Sequence, residues 1–262
     1  MKEVKLHVEL LDFSKDSLAL IYAAYRQCYS ARFAGKIFSE ATNKQKEISR
    51  FVAQMASSSH QSPLEHVKFT FALEGVSRAL THQLVRHRLA SYSQQSQRYV
   101  NAIDFAFIIP PSIKKDKQMK KEYVEIMQKI QKAYCNLVER FKEKGIEGER
   151  ANQDARFVLP QATETKIVVT MNCRELIHFF EERCCQRAQW EIKGLAEKML
   201  KICKKKLPSV FGAVGAKCVR LGYCPEGARF SCGRYPLKEE ILSYCRNFKP
   251  ALERRKERQS KV

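Results

Sequence analysis

The residues best equipped for chemistry lie between positions 86 and 98, where the sequence reads RHRLASYSQQSQR. Arg86, His87, Arg88 and Arg98 stand there with Ser91, Ser93, Ser96 and the glutamines Gln94, Gln95 and Gln97, and with no Lys, Asp or Glu among them. Guanidinium forks match phosphate oxygens bidentately. Ser hydroxyls and Gln amides bond both phosphate and the carbonyl and imide edge of a pyrimidine. The chemistry these types suit is recognition of a phosphorylated nucleotide. A plainer reading is a basic helix end that gains from the helix dipole and runs into a solvated loop. It loses ground because the flanks are apolar and a merely soluble loop would carry the missing residue types.

The whole chain points to an anionic ligand. Its 262 residues carry 48 basic against 28 acidic side chains, a formal charge of +20. Such a field concentrates anions and speeds their association, whether they are phosphorylated small molecules or nucleic acid. No known RNA- or DNA-binding motif is present, and the basic residues are spread over many segments instead of forming one aromatic-interleaved platform. Residues 1–11 are charged and alternating, without the apolar stretch of a secretory signal, and no window reaches a membrane-spanning length. A cytoplasmic protein is expected, its ten cysteines reduced thiols rather than a disulfide framework.

The elements that must position the polar block follow from periodicity. Val4, Leu6, Val8 and Leu10 alternate as a half-buried strand, and a helix opening at Ser14 carries Leu18, Ile21, Tyr22 and Tyr25. Thr42 to Met55 reads as a second helix. Val67, Phe69, Phe71 and Leu73 alternate with Lys68, Thr70 and Ala72. That strand should break at Gly75 before a basic helix from Ser77 to Arg88, on which Arg78, His82 and Arg86 would share a face. Residues 115–144 give the longest amphipathic signal, with Gly145 as its stop. A strand from Thr165 to Met171 should feed one helix from about Arg174 to Lys204, ended by Pro208. Strands and helices mix without a βαβ rhythm, so the expected class is α+β, a mixed or antiparallel sheet packed with long helices in one main domain.

Arg86-His87-Arg88, seven residues and Ser96 resemble the RHR-x7-S signature of flavin-dependent thymidylate synthases. The segments from His60 to His66, Ala155 to Pro160 and Asn172 to Leu176 resemble that family's flanking blocks in the same order. The resemblance covers residues 1–210, the expected core, and leaves 211–262 as a cysteine-containing basic extension. It implies an enzyme that makes dTMP from dUMP with tightly bound FAD, NADPH as reductant and 5,10-methylenetetrahydrofolate as carbon donor. It also implies a homotetramer with sites at subunit interfaces and no cysteine nucleophile. Carried over by position, Ser62, Arg86, His87, Arg88, Gln94, Asn172, Arg174 and His178 would hold the flavin. Gln83, Arg86, Gln94, Ser96, Gln97, Arg98, Arg156 and Arg183 would hold dUMP, and Arg183 would be catalytic, stabilising the pyrimidine anion formed on ionisation of N3.

Two positions depart from the family pattern. Gln94 stands where some members carry Glu, which excludes general-base duty by that side chain. His178 stands where others have Asn, adding a titratable group. Without the resemblance, Arg183 reads more naturally as a surface partner of Glu181 or Glu182. Cys218, Cys224, Cys232 and Cys245 lack the paired CxxC knuckles of a zinc ribbon, so structural thiols and no metal are expected. The rival functions are a nucleic-acid-binding module, with a steep salt dependence and no flavin, and a flavoprotein that acts as an NADPH oxidase or methylates RNA uridine.

Overall fold

The computed structural model describes residues 3–58 and 60–246. Strand β1 (His7–Phe13) leads into helices α1 (Ser17–Gln27), α2 (Ala34–Ala41) and α3 (Gln45–Ala56). A 3-10 turn over Ser62–His66 delivers the chain to β2 (Lys68–Ser77), α4 (Arg78–Leu84) and β3 (Ala90–Gln94). Helices α5 (Pro111–Lys115), α6 (Lys117–Glu143) and α7 (Glu149–Ala155) precede β4 (Glu164–Asn172), which continues into α8 (Cys173–Arg183) and α9 (Trp190–Lys206). The short helices α10 (Pro208–Phe211) and α11 (Lys217–Leu221), then α12 (Lys238–Arg246), complete the described chain. The basic run at Arg254, Arg255, Lys256 and Arg258 lies outside the described residues.

The fold is α+β, with one antiparallel sheet in the order β1-β2-β4-β3. Phe69, Phe71 and Leu73 of β2 stand opposite Met171, Val169 and Ile167 of β4, and all six are buried. Across these two strands one sheet face is thus continuously apolar, and it packs with residues of α1, α3, α8 and α9 in one core. The other face carries Thr70 and Thr170, whose hydroxyls meet at 3.0 Å. A smaller core forms where Met127 and Tyr134 of α6 meet Phe105, Phe107, Ile109 and Ala155. Asp116 caps α6, its carboxylate accepting from the backbone N–H of Gln118 and Met119 at 2.8 and 2.9 Å. Gly145 ends it at φ +73°.

Four local expectations are corrected. The first strand starts and ends three residues later than its alternation suggested, at an exposed sheet edge where little fixes the ends. Gly75 does not break its strand: at φ +66° it makes a bulge between Leu73 and Val76, and pairing with β4 resumes at Val76. The basic helix stops at Leu84, so Arg86, His87 and Arg88 lie past its end and Arg86 does not continue the Arg78–His82 face. The single helix expected from Arg174 to Lys204 is two, because the Gln189 side chain accepts from the N–H groups of Glu191 and Ile192 and starts α9 afresh.

Candidate active site

Two capped helix starts place the polar residues. The Ser77 hydroxyl oxygen accepts from Leu80 N–H at 3.0 Å and opens α4. The buried Glu191 carboxylate holds Ser77 in turn, accepting from its N–H at 2.7 Å and its hydroxyl at 2.6 Å. At the end of β4, Asn172 Oδ1 accepts from Glu175 N–H at 2.9 Å and opens α8. Arg174 and His178 then fall one turn apart on the exposed side of α8, while Glu175 points inward and is buried.

Arg86, His87, Arg88, Arg174 and His178 converge on one open cleft of about 790 Å³, joined by Glu175, Glu181, Ser57, Ser58, Gln61 and Arg220. Arg174 pairs with Glu65 and Arg220 with Glu181. No ion pair involves Arg86 or Arg88 among the described residues. The cleft therefore keeps two free guanidiniums in a volume ordinary for a small-molecule or cofactor site.

His87 is the floor of this cleft, only 5% exposed. Arg183 Nε–H donates to His87 Nε2 at 3.1 Å, and His87 Nδ1 meets Glu175 Oε1 at 3.2 Å. Since Nε2 must accept, the proton sits on Nδ1 and is donated to Glu175. Phe179 packs edge-on against the ring at 4.9 Å. Burial, then the charges of Arg183 and His178, lower the imidazole from its ordinary value near 6.5 to about 4. Burial holds the Glu175 carboxyl above its usual range, with His178 opposing that rise. The contact is thus a hydrogen bond from a neutral imidazole, not an ion pair.

This buried neutral ring has a stability consequence. The folded value lies below the unfolded one, so the unfolded chain takes the proton first. The contribution is complete above about pH 6.5 and is lost as pH falls toward 4. The urea-unfolding stability of the native chain relative to His87→Gln should fall by about 2 kcal/mol from about pH 7 to about pH 5. A difference that stays constant would refute the assignment.

The remaining nucleotide-type residues do not line this cleft. Arg98 pairs with Glu149, its N–H donates to Ser96 Oγ at 3.2 Å, and its carbonyl accepts from Asn152 Nδ2 at 3.0 Å. Asn152 in turn accepts from Tyr134 Oη at 3.3 Å, so α6 fixes the segment from Ser96 to Arg98 through its own core. Arg98 Nε is buried with no hydrogen-bond partner among the described residues, an unmet donor of the kind that marks a missing anion or water. Arg156 Nε–H donates to Gln153 O at 3.2 Å. Gln83 and Gln97 are half-buried, and Gln94 Nε2 donates to Thr81 and Thr165 hydroxyls at 3.2 and 3.3 Å. Ser62 opens on a neighbouring apolar cleft with Pro63, His66 and Phe38.

Arg78 was not singled out as a site residue by sequence reasoning. Burial and then the charge of Arg156 lower its pKa, which sets two guanidiniums near each other. Its place at the first position of a basic helix was the available signal. Arg183 does not pair with its neighbours on α8: Glu181 is taken by Arg220 and Glu182 by Lys217, both from α11.

A separate small cavity is walled by Cys184, Cys185, Cys218, Cys224 and Cys232. Among the described residues no three His, Cys, Asp or Glu side chains stand in a geometry that holds a metal ion, and the described cysteines are free thiols. No described helix is long and apolar enough to cross a membrane.

The family model described as thymidylate synthase complementing protein matches residues 9–209. The chain is 53% identical over 244 residues to a flavin-dependent thymidylate synthase of Nitratidesulfovibrio vulgaris, covering 92% of this chain and 100% of that one. Identity to the protein of the same name from Clostridium tetani is 46% over 241 residues, 89% and 95% of the two chains. For that of Pyrococcus furiosus it is 40% over 229 residues, 84% and 90%. Among solved structures, the UMP/dUMP methylase PolB of Streptomyces cacaoi, bound with 5-Br dUMP, matches with a TM-score of 0.65 over 80% of this chain and 94% of that one. At 23% identity it speaks for the fold alone. The chain belongs to the flavin-dependent thymidylate synthase family.

Proposed function

We propose that this enzyme converts dUMP to dTMP, taking a one-carbon unit from 5,10-methylenetetrahydrofolate and reducing equivalents from NADPH by way of FAD, and releasing tetrahydrofolate. The observation that carries the reading is the convergence of Arg86 and Arg88 with Arg174 and His178, distant in sequence, on one cleft. Unpaired guanidiniums beside a helical turn suit the pyrophosphate of a dinucleotide, so these residues fit FAD. Bound there, FAD supplies redox chemistry, carrying hydride from NADPH. Asn172 keeps its amide N–H groups for the cofactor while its oxygen caps α8. His87 and Glu175 form the floor.

Arg98, with its unmet Nε–H donor, and the Arg78–Arg156 pair fit the dUMP phosphate. Ser96, Gln97, Gln83 and Gln94 offer hydroxyl and amide groups for the sugar and the pyrimidine edge. Arg183 is proposed to stabilise the anion that forms when the pyrimidine loses its N3 proton, a charge that grows toward the transition state. Ser62, Asn172 and every residue of the dUMP set except Arg86 lie outside the lining of the cleft that holds Arg86 and Arg174. A homotetramer in which one chain's nucleotide residues face another chain's flavin residues would complete each site. Leu89, Tyr99 and Phe157, each at least 70% exposed, supply apolar surface for such contacts.

The test is an absorbance spectrum of the purified protein with added FAD, followed by NADPH oxidation with and without dUMP. A bound-flavin spectrum with dUMP-dependent oxidation and folate-dependent dTMP formation is expected. Flavin reduction without any response to dUMP would replace this reading with a different flavoprotein, and absence of flavin binding would discard the enzyme.

A further inference from the structure

The buried pair beneath the cleft has a role that the reaction scheme leaves unassigned. His87 presents two nitrogens, and each is engaged: Nδ1 on Glu175 at 3.2 Å and Nε2 on the Nε–H of Arg183 at 3.1 Å. A neutral imidazole carries one ring proton, so only one of its two tautomers satisfies both contacts. With the proton on Nε2, two N–H groups would face each other across the Arg183 contact, and the Glu175 carboxylate would face a bare nitrogen. The carboxylate therefore selects the tautomer, and through it the guanidinium.

We propose that Glu175 is a positioning residue for Arg183: by holding His87 as the Nδ1–H tautomer it makes Nε2 an acceptor that grips the Arg183 Nε–H and aims the terminal amino groups. Three features of the fold support it. Asn172 caps α8 through the backbone N–H of Glu175 itself, so the carboxylate rests on the capped first turn of that helix. Phe179 packs edge-on against the imidazole at 4.9 Å and restricts rotation of the ring. Glu181 and Glu182, the carboxylates nearest Arg183 in sequence, are occupied by Arg220 and Lys217. Arg183 hydrogen-bonds no other described side chain, and its terminal amino groups remain for a ligand.

The inference rests on the proposed part of Arg183 in dTMP formation. The test is arranged so that the two can fail separately. Glu175→Ala should lower kcat by about 30-fold, while the dissociation constants of FAD and dUMP stay within about threefold of the native protein. Glu175→Gln, whose amide oxygen still accepts from Nδ1–H, should recover kcat to within about fivefold. A merely structural carboxylate would instead weaken ligand binding and thermal stability along with turnover.

The tautomer is read without any turnover, by solid-state nitrogen NMR of histidine-labelled protein with the His87 signals assigned from their loss in His87→Gln. A protonated Nδ1 and a bare Nε2 are expected in the native chain. The opposite tautomer, an unchanged kcat in Glu175→Ala, or a Gln variant no better than the Ala variant would overturn the proposal. If the native protein makes no dTMP, the functional reading fails, and the NMR result still decides whether Glu175 and His87 hold Arg183.

Discussion

Arg183→Ala should lower dTMP formation by about 100-fold or more while leaving FAD bound. The side chain sits at the last turn of α8 with its Nε–H held by His87, so two terminal nitrogens are free to meet a developing negative charge. A pre-aimed, permanently charged donor gains strength as that charge develops and costs no reorganisation when it does. The loss should therefore fall on kcat and not on flavin affinity. Arg183→Lys should also fail, by about 10-fold or more, because one ammonium replaces a planar fork that must grip His87 and face the ligand at once. Single-turnover dTMP formation with a parallel FAD titration checks both. A fall of less than about threefold in the Ala variant would remove Arg183 from the chemistry.

That arginine also shows what kind of fact the sequence conceals. Read locally, Arg183 has two carboxylates beside it and looks like half of a surface ion pair. In the fold those carboxylates are drawn off by Lys217 and Arg220 of α11, residues more than thirty positions further on, while His87 arrives from the other half of the chain. Burial of Glu182 alone would raise its pKa, and the net shift is downward because Lys217 hydrogen-bonds it and lies close. No local pattern encodes this exchange of partners. It depends on α11 packing beside the end of α8, and the residues after Phe211 offered too little periodicity to place them.

The strands and helices that bury a whole face were legible. Phe69, Phe71 and Leu73 alternate because β2 runs through the middle of the sheet, and Ile167, Val169 and Met171 answer them from β4. The i, i+4 spacing of Arg174 and His178 on one helix held for the same reason: α8 keeps its other side in the core. Strand β3 was illegible because its residues, ASYSQ, are polar and its burial is partial. Backbone pairing with β4 makes it a strand, and pairing leaves no hydrophobic period. This is the segment that follows the Arg86–Arg88 triplet, so the polar block read as a loop is in part a sheet edge that holds Ser91 and Ser93 on one side and Gln94 on the other. The proposed function accounts for the mismatch: side chains suited to a ligand do not advertise the element that carries them.

The same tension between local rule and fold sets the largest expected stability loss. Gly75→Ala should destabilise the protein by about 3 kcal/mol or more, in contrast to Gly145→Ala, which should lose about 1 kcal/mol. Both glycines have positive φ, +66° and +73°, so both substitutions carry the left-handed penalty of a Cβ. Around Gly145 an added methyl meets nothing within 4 Å. At Gly75 it would lie 2.0 Å from the carbonyl oxygen of Lys5 and 2.5 Å from its carbon, backbone atoms that move only if the chain leading into β1 leaves the edge of β2. The bulge has a further consequence. It turns the end of β2 so that Ser77 reaches Glu191 and caps α4, and α4 sets down the Arg86–Arg88 triplet. Urea unfolding of the two variants beside the native chain measures the contrast. Equal losses at the two positions would mean that the close approach to Lys5 is not a constraint, and that the path from β2 into the cleft is fixed by Ser77 and Glu191 alone.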